Sequence, residues 1–440
     1  MSIKELEKYN NFKCKCGKIH NFSSKIVTGC NILNQIPCLC DEYSAKNIYL
    51  LCDKNTYNAA GKQTIKALTD AGKNVISYMY KEDKVIPDEQ SVGKAIMHFN
   101  PECDLIIGVG SGVINDIGKV VAYTTNKPYF IFATAPSMDG YAAASSSMEV
   151  EGVKTTVKSK APEVIIGDFD ILASAPKKMM LSGLGDMLAK YTALCEWHIA
   201  NIIIKEYYCK EIASLVRIAL EKCVSNADKL LEGDKEAVKA VFEGLIISGA
   251  AIEYAGISRP ASGVEHYISH IIDMRSVSLG TPCDSHGIQC AIGTLYALKM
   301  YECLKKITPD RKKALDFVNE YKYSEHAEFL KSFVGEAAET LIERETTENK
   351  YNAELHTKRL ERIINNWDEI IKIINEELPS YKTIYDMWQR IGGPVSLNEI
   401  GIDNALFPEI FIATKDIRDK YVLSFLLWDL GVTDTLLKSI

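Results

Sequence analysis

With 440 residues, 47% of them hydrophobic, the chain can bury a substantial core and has room for two or three domains. A formal net charge of -7 and a pI near 5.8 exclude a broad nucleic-acid-binding surface, while leaving room for a local basic pocket that takes a phosphate. The start MSIKELEKYNNFKC carries charges where a signal peptide has its apolar core, and no later apolar run reaches membrane-spanning length, so a soluble cytoplasmic protein with no membrane span is expected.

Thirteen cysteines scattered over a chain of this size read as reduced thiols rather than as a disulfide framework. The N-terminal group Cys14, Cys16, His20, Cys30, Cys38 and Cys40 offers soft metal ligands, but it lacks two C-x-x-C knuckles, which favours plain thiols. From about 45 to 135, the apolar runs NIYLLCD, NVISYMY, DLIIGVG and PYFIFAT alternate with helix-like segments at 57–71, 89–99 and 113–125, as in a parallel sheet with crossover helices. Residues 136–173, including EVIIGDFDIL, read as a loop and hairpin beside that sheet. After Pro176 the periodicity is helical, broken at Gly233-Asp, Arg259-Pro, Gly280-Thr-Pro and Gly392-Gly-Pro. The fold class is therefore an α/β nucleotide-binding domain with a parallel sheet over 1–173, followed by an all-helical metal- and substrate-binding domain with a C-terminal extension over 174–440. The charged stretch 339–370 reads as a solvated helix pair.

Gly108-Val-Gly110-Ser111-Gly112 ends an apolar strand and opens a helix, which places backbone N–H groups and a positive helix end where a pyrophosphate can sit. The match to G-x-G-x-x-G is incomplete, since Val113 or Asn115 stands at the third glycine position. Asp53 ends an earlier strand, where a carboxylate can accept from ribose hydroxyls or simply form a turn. Thr134-Ala135-Pro136-Ser137-Met-Asp139-Gly140 follows the last strand of the run, at the sheet edge where such folds bind ligands.

In the helical half, Ser262-Gly-Val-Glu265 has the pattern of a capping box, and His266 and His270 follow one turn apart on one face. Asp284-Ser-His286-Gly starts another helix, with Asp284 available as its cap. Gly183-Leu-Gly185-Asp186 weakens a helix, implying a close backbone approach nearby. Of eight histidines in the chain, three fall within 266–286, and with Asp186 they make a mixed N/O donor set for one divalent ion.

The motifs G-S-G-V-I-N-D (110–116), T-A-P-S-M-D-G (134–140), G-L-G-D-M-L-A-K-Y (183–191), R-P-A-S-G-V-E-H-Y-I-S-H (259–270) and S-H-G (285–287) give the chain a resemblance. Taken in that order, they resemble the bacterial type of sn-glycerol-1-phosphate dehydrogenases, relatives of iron-containing alcohol dehydrogenases, glycerol dehydrogenase and 3-dehydroquinate synthase. The resemblance implies Asp186, His266 and His286 as ligands of zinc or nickel, with Asp139, Asp186, His266 and His270 around the substrate. It implies NAD(H) or NADP(H) held by Asp53, by Gly110, Ser111, Gly112, Val113, Ile114, Asn115 and Asp116, and by Thr134, Ala135, Pro136 and Ser137. It also implies a homo-oligomer that reduces dihydroxyacetone phosphate to sn-glycerol 1-phosphate for lipid biosynthesis, with His270 among the groups that protonate the alkoxide. One departure is Ala143, where relatives carry a serine four residues after the substrate aspartate; Ser145 lies nearby.

Two other readings stay open at this point. A dehydrogenase of unphosphorylated glycerol or another polyol would need the same metal and cofactor apparatus. A phosphate pocket separates the two, and Lys154, Lys158 and Lys160 are its candidates, although a lysine run is more often a solvated face. A non-catalytic metal- or nucleotide-binding protein is disfavoured by the complete Asp/His/His set.

Overall fold

The computed structural model describes residues 3, 6, 8, 11–151 and 153–440. Its chain forms two compact units, Met1–Met187 with Ile218–Gly256, and Leu188–Arg217 with Ile257–Ile440, so it passes between them three times.

In the first unit, runs rich in Ile, Val, Tyr and Phe become strands, and those inside the sheet are covered on both faces, the environment that continuous apolar strands require. In chain order the strands are β1 (Phe12–Lys13), β2 (Ile19–His20), β3 (Lys25–Gly29), β4 (Asn47–Asp53), β5 (Asn74–Tyr80), β6 (Leu105–Gly110), β7 (Tyr129–Ala133), β8 (Ser145–Val150), β9 (Val153–Lys158) and β10 (Val164–Asp168). Six of them make a parallel sheet in the order β3-β10-β7-β6-β4-β5. Helices at Lys62–Asp70, Glu89–Met97 and Gly112–Thr125 follow the expected crossovers to within a few residues, the first entered through a capped turn at Lys54–Thr56 and a π-helical stretch at Tyr57–Gly61.

The segment 136–173 departs from its sequence reading in part. β8 and β9 do form an antiparallel hairpin, but Val164–Asp168 is an inner strand of the main sheet, paired with β3 and β7 and buried throughout. Its continuous apolar run, with no polar alternation, is that of a strand covered on both faces.

Gly183 explains the glycine-softened Lys177–Leu188 helix: a Cβ there would collide with the Pro136 carbonyl. This close approach seats the helix against the loop leaving β7. We expect Gly183→Ala to lower stability by about 1–3 kcal/mol, the usual cost of overfilling a packed contact, read as a lower denaturant midpoint at constant m-value.

The second unit is helical. Its Val264–Leu279 and His286–Leu304 helices approach closely where Gly293 faces Glu265, since a Cβ on Gly293 would lie 2.9 Å from the Glu265 carbonyl oxygen. Buried contacts tie later segments together: an ion pair of Arg359 with Asp429 at 2.9 Å and a hydrogen bond between His326 and Asp416 at 2.7 Å. The helix pair expected in 339–370 is present as Ala338–Glu348 and Ala353–Asn365, but its His356 and Arg359 point inward rather than into solvent. Among the described residues, no helix is long and apolar enough to cross a membrane.

Candidate active site

In the first unit the strand order reverses at β4, which pairs with β5 on one side and β6 on the other. The crevice outside the carboxyl ends of such neighbouring strands is where open α/β sheets bind ligands. Asp53 closes β4, while the glycine-rich turn closes β6 and opens the Gly112–Thr125 helix. No side chain caps that helix at Ser111 and its first turn holds no acidic residue, so its N–H groups and positive end suit an anion.

The glycines divide their tasks. A Cβ at Gly108 would overlap the Tyr129 hydroxyl, and one at Gly110 would overlap Ile114, so packing alone requires glycine at both. Close approach to a phosphate is left to Ser111, Gly112 and Val113, which are half-buried, whereas Ile114 and Asn115 are buried. The Asn115 amide donates to the Gly140 carbonyl at 3.1 Å. Lys119, wholly buried, donates to the same carbonyl at 3.2 Å and pairs with Asp116 at 3.0 Å. Burial pushes the Asp116 carboxyl up, with Lys119 pulling the other way. Asn115 and Lys119 thus brace the loop that carries Asp139.

Asp53 serves its own turn. Its Oδ1 accepts from the Asn55 and Thr56 N–H groups, both at 2.8 Å, and its N–H donates to Thr56 Oγ1 at 2.9 Å.

The Thr134–Ser137 segment runs off β7 beside the glycine turn, with the Thr134 N–H donating to the Gly110 carbonyl at 3.0 Å. The Ala135 carbonyl accepts from the Tyr141 hydroxyl at 2.6 Å, and the Ser137 carbonyl accepts from the Ser182 hydroxyl at 3.0 Å. Asp139 and Asp186 are brought together: the Asp139 N–H donates to Asp186 Oδ2 at 2.9 Å, and Asp139 Oδ2 accepts from the Ser248 hydroxyl at 2.8 Å. Asp186 is wholly buried. Ala143 stands in the same loop, and the neighbouring Ser145 carbonyl accepts from Lys119 at 2.5 Å.

In the second unit, His266 and His286 lie with ring centroids 5.0 Å apart, and His270 is 6.0 Å from His286. Each of the first two rings has one nitrogen committed. His266 Nδ1 sits 2.8 Å from Glu265 Oε1, and His286 Nδ1 sits 3.0 Å from the Ser269 hydroxyl, which accepts from Gln289, itself bonded to Asp273. Fixing one nitrogen orients the other toward a common point. Burial raises the Glu265 carboxyl, but hydrogen bonds from His266, Thr192 and the Gly263 N–H outweigh it and hold the group below the ordinary glutamate range.

The sequence reading missed Cys290. Its sulfur joins His266 and His286 in a set of donor atoms all within 4.8 Å of one another, and its position four residues after His286 was the available signal. Burial pushes the Cys290 thiol up, and the two imidazoles more than offset it.

Two helix starts differ from expectation. The Val264–Leu279 helix is capped at Gly263 without a side-chain bond, because Glu265 accepts from the Gly263 N–H at 2.6 Å while also holding His266. His286 lies in the first turn of its helix as expected, but the helix starts one residue later than a cap at Asp284 implies: Ser285 is the cap position, and Asp284 accepts from the Ser285 N–H at 2.6 Å instead.

Of the lysine run in the first unit, Lys158 is exposed over the Tyr123 ring and Lys160 pairs with Glu163, while half-buried Lys154 is near enough to Asp116 to pull its carboxyl down. A different cluster of cations occurs in the second unit. Buried Lys420 donates to the Ser262 carbonyl at 3.0 Å, and its ammonium is pushed down by burial and by Arg259 and Arg418.

Residues 27–176 match the family model described as iron-containing alcohol dehydrogenase. The chain is 30% identical over 335 residues to a Halalkalibacterium halodurans protein named glycerol-1-phosphate dehydrogenase (NAD(P)+), covering 74% of this chain and 84% of that one. A Bacillus subtilis protein of the same name is 33% identical over 279 residues, covering 61% and 71% of the two chains. Among solved structures, the chain shares its fold with glycerol dehydrogenase from Schizosaccharomyces pombe, at TM-score 0.61 and 17% identity over 96% of this chain and 92% of that one. An alcohol dehydrogenase from Oenococcus oeni is similar at TM-score 0.62 and 16% identity, over 96% and 100%. On the ordered motifs, the sheet with its helical second unit and these relatives, the chain is an oxidoreductase that belongs to the glycerol-1-phosphate dehydrogenase (NAD(P)+) family.

Proposed function

We propose that this enzyme reduces dihydroxyacetone phosphate to sn-glycerol 1-phosphate with NADH or NADPH, using one divalent ion held by Asp186, His266 and His286. The observation that carries the reading is the His266–His286 pair, two imidazoles whose second nitrogens are held by Glu265 and Ser269, with the Cys290 sulfur beside them. That donor set fits zinc or nickel, both of which accept imidazole. Asp186 enters as the carboxylate ligand by its motif. When bound, the ion would supply Lewis acidity toward the substrate carbonyl, and the nicotinamide would supply the hydride.

The protein's own groups have distinct tasks in this scheme. Asp139, fixed by Ser248, receives a substrate hydroxyl, and His270 supplies a proton to the developing alkoxide. The N–H groups of Ser111, Gly112 and Val113 take the pyrophosphate, and Thr134, Ala135, Pro136 and Ser137 border the cofactor. Lys420 and Arg418 are assigned to the substrate phosphate, in place of Lys154, Lys158 and Lys160. A cytoplasmic homo-oligomer completes the reading. The direct test assays metal-reconstituted protein with each reduced cofactor against dihydroxyacetone phosphate and dihydroxyacetone. Turnover of neither compound refutes it.

Asp53 is assigned to the adenosine ribose, where its charge opposes the extra phosphate of NADPH. Asp53→Ser is the informative change, because serine also caps a helical turn and so preserves the local fold while removing the charge. The ratio of kcat/KM for NADH over NADPH is expected to fall about tenfold, the effect of roughly 1.4 kcal/mol of lost repulsion. An unchanged ratio removes Asp53 as the selector.

A further inference from the structure

The N-terminal hairpin carries soft donors that the reaction does not use. β1 and β2 pair antiparallel, with Phe12 opposite His20 and Lys13 opposite Ile19. Between them Cys-Lys-Cys-Gly-Lys makes a tight turn: the Cys14 N–H donates to the Lys18 carbonyl and the Gly17 N–H to the Cys14 carbonyl, both at 3.0 Å. Gly17, at φ +87°, occupies the left-handed region that glycine reaches without strain. The Cys16 N–H donates to Cys14 Sγ at 3.5 Å, which holds that sulfur on the inner side of the turn.

Cys16 Sγ lies 3.4 Å from His20 Nε2, and the donor atoms of Cys14, Cys16 and His20 all lie within 4.8 Å of one another. His20 is wholly buried, and its Nδ1 sits 3.0 Å from the Tyr254 carbonyl. A carbonyl can only accept, so Nδ1 carries the proton and Nε2 turns its lone pair toward the two sulfurs. This is the arrangement by which an outer hydrogen bond orients a metal-ligating imidazole. Tetrahedral zinc, with bonds of about 2.3 Å to sulfur and 2.0–2.1 Å to nitrogen, separates the two donors by about 3.6 Å, close to the spacing here.

We propose that Cys14, Cys16 and His20 hold a structural zinc ion, with a further thiolate or a water completing the tetrahedron. The six-residue N-terminal grouping of the sequence reading is thereby split, since Cys30 and Cys38 are exposed and Cys40 packs in the sheet core. Each thiol releases its proton on binding. The ion fastens the hairpin to the end of the Lys235–Ala255 helix, where Lys18 also reaches the Ala255 carbonyl at 3.1 Å.

Metal analysis of the purified full-length enzyme tests this. Cys14→Ser and Cys16→Ser should each lose about one zinc per chain, whereas His266→Ala should retain that equivalent. Serine substitution of the remaining cysteines one at a time identifies a fourth thiolate, and water is the answer if none of them lowers the zinc content. In the wild-type protein, which removes any doubt about variant folding, Cys14 and Cys16 should react with iodoacetamide at least about tenfold more slowly than exposed Cys30 until a chelator is added, with core residue Cys52 protected throughout. Unchanged zinc content in Cys16→Ser, or labelling of Cys14 and Cys16 that ignores the chelator, overturns the proposal.

Discussion

His266→Ala and His286→Ala are each expected to lose one equivalent of bound metal and about a thousandfold in kcat/KM, while the thermal midpoint moves by only a few degrees. The size follows from the several kcal/mol of charge stabilisation at stake, each 1.4 kcal/mol of which is a factor of ten. The fold should survive because His266 and His286 are not core hydrophobes; their ring contacts are with each other, with His270 and with polar side chains. A graded partner experiment uses Glu265→Gln, which keeps the size of the side chain but removes its charge beside His266 Nδ1. Loss of such an outer contact typically costs 10–100-fold in metal affinity, so metal should bind more weakly rather than vanish. Metal content is the readout that decides, because activity alone could fall for many reasons. Full occupancy of that equivalent in either alanine variant would sink the ligand assignment.

The fold was legible where local pattern suffices. NIYLLCD and NVISYMY gave strand limits that match β4 and β5 residue for residue, because an apolar or β-branched and aromatic run between turn signals marks a strand whether it lies inside the sheet, as β4 does, or at its edge, as β5 does. Pattern failed at Val164–Asp168, where the same kind of run follows a polar hairpin. Which strands such a run joins is set by pairing with Phe130 and Ile26, partners far away in sequence. The N-terminal donors failed for a related reason: six soft ligands within 27 positions offered no spacing rule to sort them, and only the β1–β2 register brings His20 back over Cys16.

The candidate site residues stand out in the sequence as motifs, and their contacts with one another much less so. The pairing of Asp139 with Asp186 and the role of Gly183 follow from helix and loop meeting backbone to backbone, which a glycine in a helix only hints at. Glu265 shows how chemistry overrides a local signal. Its spacing suggests a cap with Ser262, yet one oxygen both receives the Gly263 N–H and holds His266, so the carboxylate serves the imidazole and the helix begins one residue later. Lys420 had no signal at all, since nothing in the sequence around it refers to Ser262.

Dihydroxyacetone is expected to be reduced with kcat/KM lower by about 10²–10³ than dihydroxyacetone phosphate, and with a lower kcat as well as a higher KM. Buried charge contacts are worth roughly 2–5 kcal/mol when one partner is removed, which sets that range. The fall in kcat is expected because binding energy at a remote charged group is used to orient the reacting carbon. The cations assigned to that task are Lys420, held against the Ser262 carbonyl four residues before His266, and Arg418. Lys420→Met keeps the length and apolar stem of the side chain while removing its charge. It should therefore bring the efficiency with the phosphorylated substrate down toward that with dihydroxyacetone and leave the latter nearly unchanged. A Lys420→Met enzyme that retains full preference for the phosphorylated ketone would show that the phosphate is bound elsewhere. Stereochemistry provides the second half of the test, since under the proposed reaction a ketone held in one orientation presents one face to the hydride. The product should resist oxidation by a stereospecific sn-glycerol-3-phosphate dehydrogenase. Consumption of the product by that coupling enzyme, or equal efficiency with the two ketones, would place the enzyme's activity outside the proposed reaction despite its family.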